Sequence, residues 1–303
     1  MARRVHIPGL ISLLEVTDPR EIRLLDGDSR LDRSLAPGGG VINRLRLARL
    51  RRAFVFDAEP LPALLGREAQ GRESRHAELE RRLDECAEAS SWRQDPAFKT
   101  LVEAVARQAE AEALGPAAQG LLGRRFRDGY HADEATFAAA RRLNDYPRVN
   151  APRALLQRLS GRLRRDRRLL HERAQGDPMT LHATGVAVHN LVGALEAMRS
   201  LAGTPGASAL PRAAVLARCL SVPETLLRQV QVPLSTPCSP RRLVPGDLVL
   251  LRLAEGVRSS GDRDLAFMAD SWGRCPAQRF ILALLTDIWE QAVAASRSGE
   301  GGR

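Results

Sequence analysis

Residues 264–278 read DLAFMADSWGRCPAQ, and the reading of the chain turns on one member of that stretch, Cys275. Cys275 follows a turn carrying Gly273 and precedes Pro276, a residue favoured in the first turn of a helix. Residues 276–296 then carry an apolar pattern of helical period, with Trp289 inside it. The cysteine therefore stands where a helix begins, and the positive end of a helix stabilises a thiolate. A plain buried thiol is the alternative reading of the same residue, so its surroundings must decide.

Upstream of the cysteine loop, Pro233, Pro237, Pro240 and Pro245 break the chain, and residues 246–253 (GDLVLLRL) read as a strand leaving a turn. Before them, Pro223-Glu224-Thr225-Leu226-Leu227-Arg228 reads as a helix. It would put Glu224 and Arg228 on one face, four residues apart and able to pair. From 75 to 200 the texture is helical, with apolar residues three and four apart over 75–89, 97–123, 133–144, 152–173 and 179–200. Loops are expected at 38–40 and 203–211, and a linker at 59–74. Near the start, 11–16 reads as a strand, and Thr17-Asp18-Pro19-Arg20-Glu21 as a capped helix start.

The chain has 303 residues, enough for one sizeable core. Its net charge of +10 first suggests nucleic acid. Yet Lys99 is the only lysine among 46 basic residues, the arginines are scattered, and aromatics make up 4%, too few to interleave for base stacking. No nucleic-acid partner is expected. The basic run Arg158–Arg173 reads as a solvated helix face. No two cysteines show the spacing of a zinc or redox pair, no apolar run would span a bilayer, and the start lacks a cleavage site. A cytoplasmic protein without a membrane partner is the expectation.

This order of elements, with Leu265-Ala266-Phe267 leading to Arg274-Cys275-Pro276, resembles the closing series of the cytochromes P-450. In that family a Glu-x-x-Arg helix, a Pro-x-Gly strand entry (here Val244-Pro245-Gly246), a cysteine loop and a long helix follow one another. Ile11–Leu25 and Arg30-Leu31-Asp32-Arg33 resemble the family's opening. The resemblance implies a mainly α fold with a small β region, P-450-like and reduced, as one domain over 1–296 with a disordered tail at 297–303. It also implies heme b as cofactor, with Cys275 as iron ligand and His76, Arg241, Arg242 and Arg274 as propionate-binding candidates. A small-molecule substrate is implied, with a redox partner or a partner enzyme.

Departures accompany the resemblance. Met268, Ala269, Ser271 and Ala277 stand where glycines are usual, and Phe267 lies one residue further from the cysteine. The chain is also well short of a typical member. On the central helix, the family's proton-delivering acid and hydroxyl are replaced by Ala187 and Val188, which can donate no proton. Conventional dioxygen-dependent monooxygenation is therefore not expected. His189, the next titratable residue, is the candidate acid–base catalyst for a peroxide-dependent route, or else a satisfied helix residue. Two other functions remain open: a P-450-like helper that activates a partner such as a glycosyltransferase, and an unrelated helical binding protein.

Overall fold

The structure is a computed structural model that describes residues 2–33, 36–106 and 113–300. The chain opens with β1 (Ala2–Ile7), β2 (Ile11–Val16), α1 (Pro19–Gly27), β3 (Leu31–Asp32), α2 (Val41–Phe54), β4 (Val55–Phe56) and β5 (Glu59–Pro60). A helical stretch comes next: α3 (Arg72–Glu88), α4 (Pro96–Ala106), α5 (Leu114–Phe126), α6 (Glu134–Asp145), α7 (Ala151–Leu159) and α8 (Arg162–Ala174). It continues through α9 (Pro178–His182), a π-helical turn at Ala183–Ala187, α10 (Val188–Ala202) and α11 (Arg212–Cys219). Last come β6 (Leu226–Val230), β7 (Leu234–Thr236), β8 (Ser239–Leu243), β9 (Leu248–Leu251), α12 (Leu253–Ser260), α13 (Arg263–Phe267) and α14 (Gln278–Glu300). The protein is mainly helical with small sheets, as the resemblance implies. Among the described residues, no helix is long and apolar enough to cross a membrane.

The chain divides into two compact units, each assembled from both ends: Met1–Glu73 with Val222–Cys275, and Ser74–Ser221 with Pro276–Arg303. The first unit is built on a five-stranded sheet of order β1-β2-β9-β6-β3. Strands β2 and β9 run parallel, Leu13 opposite Leu248 and Val16 opposite Leu251. Both read as nearly continuous apolar runs because both of their faces are covered. Leu14, Val16, Val249 and Leu251 pack with Ile22 and Leu25 of α1. That helix starts as its sequence dictates: the Asp18 side chain accepts from the N–H groups of Arg20 and Glu21, each at 3.0 Å, and Pro19 occupies the first turn.

One expected helix is a strand. Residues 226–230 form β6, with Arg228 opposite Val249 and Gln229 opposite Leu248. Arg228 and Gln229 hide the apolar pattern of a buried strand, so only the pairing with β9 and β3 shows what the segment is. Glu224 and Arg228 accordingly do not pair. Glu224 lies 3.6 Å from Arg252, and Arg228 is bound to Asp26. The helix preceding this strand is α11, eight residues long.

The second unit packs α4, α5, α10, α11 and α14 around Leu101, Val105, Leu121, Leu191, Leu195, Leu284 and Ile288. Trp92 meets Phe280 edge to face at 5.4 Å. Asp287 on α14 accepts from Trp92 Nε1 at 2.7 Å and from the Arg93 guanidinium at 2.7 and 2.9 Å. The single helix expected over 97–123 is two, α4 and α5; residues 107–112 of that expectation lie outside the described residues. The helix expected over 152–173 is also two, because Gly161 takes the left-handed conformation (φ +68°) and ends the first of them. Helix α14 runs to Glu300, so it takes the first four residues of the expected tail; 301–303 lie outside the described residues.

Candidate functional site

Cys275 closes the first unit, one turn ahead of α14. Helix α13 ends at Met268 in the left-handed conformation (φ 52°), and the chain then doubles back so that the Cys275 N–H donates to Phe267 O at 2.8 Å. Asp262 caps α13 through the Leu265 N–H at 3.0 Å. Within the loop, Arg274 N–H donates to Ser271 O at 3.0 Å and Gly273 N–H to Ser271 Oγ at 2.8 Å. These bonds hold the loop with Met268, Ala269 and Ser271 in place. Cys275 is half-buried and in no disulfide.

Trp272 is the hub of this loop. Its Nε1–H donates to Asp26 O at 2.8 Å, and its carbonyl accepts from Arg72 at 2.6 Å. The guanidinium carbons of Arg33, Arg67, Arg72 and Arg228 lie 4.8, 5.1, 4.7 and 5.3 Å from its ring centre. Four cations around one indole use the negative ring face, but they also repel one another. Burial, with Arg228 and Arg72 close by, pushes Arg33 down to about 9. Burial lowers Arg72 as well, against the pull of Glu73.

Carboxylates offset part of that charge. Asp26 binds Arg228, both side chains at 1% exposure or less, and accepts from Ser271 Oγ. Asp32 accepts from the N–H groups of Arg33 and Arg67 at 2.7 and 2.8 Å. Glu73 lies 3.7 Å from Arg274. Five guanidiniums (Arg33, Arg67, Arg72, Arg228, Arg274) therefore stand against three carboxylates (Asp26, Asp32, Glu73). The surplus is two positive charges, and the buried Nε of Arg228 has no hydrogen-bond partner. A thiol next in the chain to an arginine of this partly buried, net-positive cluster is a donor set that fits a dianionic, iron-bearing ligand such as heme b.

The sequence-derived candidates are scattered. Arg274 is in the cluster, adjacent to Cys275. Arg241 and Arg242 are exposed on the β7–β8 hairpin, where Arg241 O accepts from Arg4 at 2.7 Å. His76, in the second unit on α3, lies 3.9 Å from Glu80. His189 sits on α10, half-buried, its ring 5.7 Å from that of Phe137. Burial pushes its pKa below the usual imidazole value, so the ring is neutral at pH 7. The π turn at Ala183–Ala187 ends just before it; such a turn holds an extra residue and rotates the succeeding residues by about 100° relative to the preceding helix. The turn's carbonyls are tied in too: Gln119 Nε2 donates to Thr184 O at 2.9 Å.

Sequence reasoning does not reach Asp26, Arg33, Arg72, Arg228 and Trp272 as a group. They come from five separate segments: the sequence marks Arg228, for a different partner, and Arg33, within a turn, but nothing in an arginine-rich chain marks Arg72 or joins these residues. Trp272, scarce in composition and close to Cys275, offers a further signal.

No family model matches the sequence, and no curated protein matches it. Solved structures do. The crystal structure of GfsF superposes with a TM-score of 0.60 at 15% identity, covering 98% of this chain and 86% of that one. The crystal structure of CalO2, a cytochrome P-450, gives 0.53 at 18% identity, covering 93% and 82%. At these identities the likeness speaks for the fold: this chain has a cytochrome P-450-like fold.

Proposed function

We propose that this protein is a heme-thiolate oxidoreductase acting on a small organic substrate, with Cys275 as the iron ligand. The observation that carries the reading is the cationic surplus of two around Trp272, within the loop that ends at Cys275. Heme bound there would supply oxidative chemistry at its iron. The chain's part is to hold the ligand: Arg33, Arg72 and Arg228, with Arg274, neutralise its carboxylates, and Cys275 supplies the thiolate. His76, Arg241 and Arg242 are further propionate candidates. Residues 1–296 act as one P-450-like domain.

Ala187 and Val188 on the central helix bear no proton donor, which supports a peroxide-dependent route over a dioxygen-dependent one. His189 is neutral and so free to take up a proton, as a base in that route requires, while its burial weakens it as a base. A second reading has its own observation. Arg228 is already satisfied in charge by Asp26, and Arg274 faces Glu73, as expected if the cluster has become structural support in a non-catalytic helper of a partner enzyme.

One titration separates the two. The purified chain is mixed with hemin, reduced and exposed to carbon monoxide. A thiolate-type spectrum, retained in Cys86→Ser and lost in Cys275→Ser, supports the heme-thiolate reading. Absence of heme uptake by the wild type leaves the helper. Oxidised product formed with hydrogen peroxide, and lost in His189→Ala, supports the peroxide route; efficient coupling to dioxygen and electrons excludes it.

A further inference from the structure

Helix α7 turns an apolar edge to solvent. Leu155, Leu156 and Leu159 are 53%, 66% and 75% exposed, while Ala154 of the same helix is buried. At about 100° per residue the three leucines fall within an arc of about 100°, and Ala154 lies roughly on the other side. Arg153 and Arg158 are exposed and flank that arc, one on each side. Beyond Gly161, helix α8 packs against α7 and adds exposed Arg162, Arg164, Arg165 and Arg168.

Little negative charge accompanies them. Asp166 is buried and held by Arg142 at 2.6 and 2.8 Å, so it is turned inward. Glu172 is engaged by Arg168 at 2.7 Å. The apolar stripe with basic flanks is the pattern of a helix that lies in a membrane interface, leucines at the acyl boundary and arginine stems reaching the headgroups. A protein interface would be expected to offer an aromatic anchor, and residues 151–171 contain none.

We propose that the α7–α8 hairpin docks on an anionic lipid bilayer. The leucines enter the headgroup boundary and the arginines take the lipid phosphates. This is attachment to a surface, distinct from crossing the bilayer, and it does not depend on heme.

The test is co-sedimentation of the full chain with vesicles. One set is equal parts phosphatidylglycerol and phosphatidylcholine; the other is phosphatidylcholine alone. Binding is expected to the first only, and to weaken in high salt. At about 1 kcal/mol for each basic residue near an anionic surface, Arg153→Gln with Arg158→Gln should lower partitioning roughly 30-fold. Leu155→Ser with Leu156→Ser and Leu159→Ser should abolish it, with melting unchanged because these side chains are exposed. Failure to bind anionic vesicles, equal binding to both sets, or full binding by the leucine variant would each overturn the proposal. So would retention on a polyglutamate matrix without vesicle binding, which would make the face a site for an acidic protein.

Discussion

The pair Asp26–Arg228 has lost water on both sides, with side chains 0% and 1% exposed. A charge so placed is tolerable only while its partner remains, and removing one partner of a buried pair costs about 3–5 kcal/mol. Asp26→Asn is therefore expected to lower the free energy of unfolding by about that much, read from urea denaturation. Asp26→Leu with Arg228→Met should recover most of the loss, since it removes both buried charges. An unchanged urea midpoint in Asp26→Asn would show that the pair is not structural. The sequence marks Arg228 with the wrong partner, since it reads as the end of a helix that is in fact a strand, and leaves Asp26 unmarked at the end of α1.

At the scale of elements, close approach decides what a helix residue can be. A Cβ on Gly123, in the last turns of α5, would stand 2.1 Å from the Tyr130 ring. Ala in place of a helical Gly normally gains about 1 kcal/mol. Here the overlap is with a buried ring that cannot swing away, and overpacking of a filled core costs about 1–3 kcal/mol. Gly123→Ala should therefore destabilise, whereas Gly27→Ala, with nothing within 4 Å of its added carbon, should be close to neutral. Comparison of melting temperatures checks both, and a more stable Gly123→Ala would refute the packing. Element boundaries obey the same logic. The Asp18 cap and Pro19 are local, so the start of α1 is legible from its own residues, while the break at Gly161 depends on one backbone angle within a continuous helical pattern.

The whole molecule should lose stability to acid in two steps. Burial lowers the pKa of His189, so the unfolded chain takes up a proton first, and stability falls as pH drops below about 6.5 toward the folded value. The second step belongs to Asp95 and Asp287. Burial alone would raise both. The hydrogen bonds of Arg124 and the Ala97 N–H to Asp95, and of Arg93, Trp92 and Gln291 to Asp287, outweigh it and hold both below 3.8. Their contribution is complete above the unfolded value near 3.8 and is lost as pH falls through the lower folded values. Melting temperature against pH should show a shallow decline beginning near 6.5, absent in His189→Gln, and a steeper one below about 4. Asp287→Asn should melt lower at neutral pH and lose less on acidification. A single transition shared by all three proteins would contradict these assignments.

By itself the sequence determined a mainly helical texture, the strand at 11–16, the start of α1 and Cys275 just ahead of the last helix, while the P-450-like class followed from the resemblance of its ordered motifs. The elements rest on local physics: helical and strand periods, an Asp cap, prolines that break the chain and a proline two residues ahead of α14. Tertiary structure alone decided that 226–230 is a strand, that Arg228 pairs with Asp26 and not Glu224, and that Trp272 gathers four arginines from four segments. The reason is separation along the chain. Charges more than two hundred residues apart leave no periodic trace, and which of many arginines is buried depends on the surfaces that close around it.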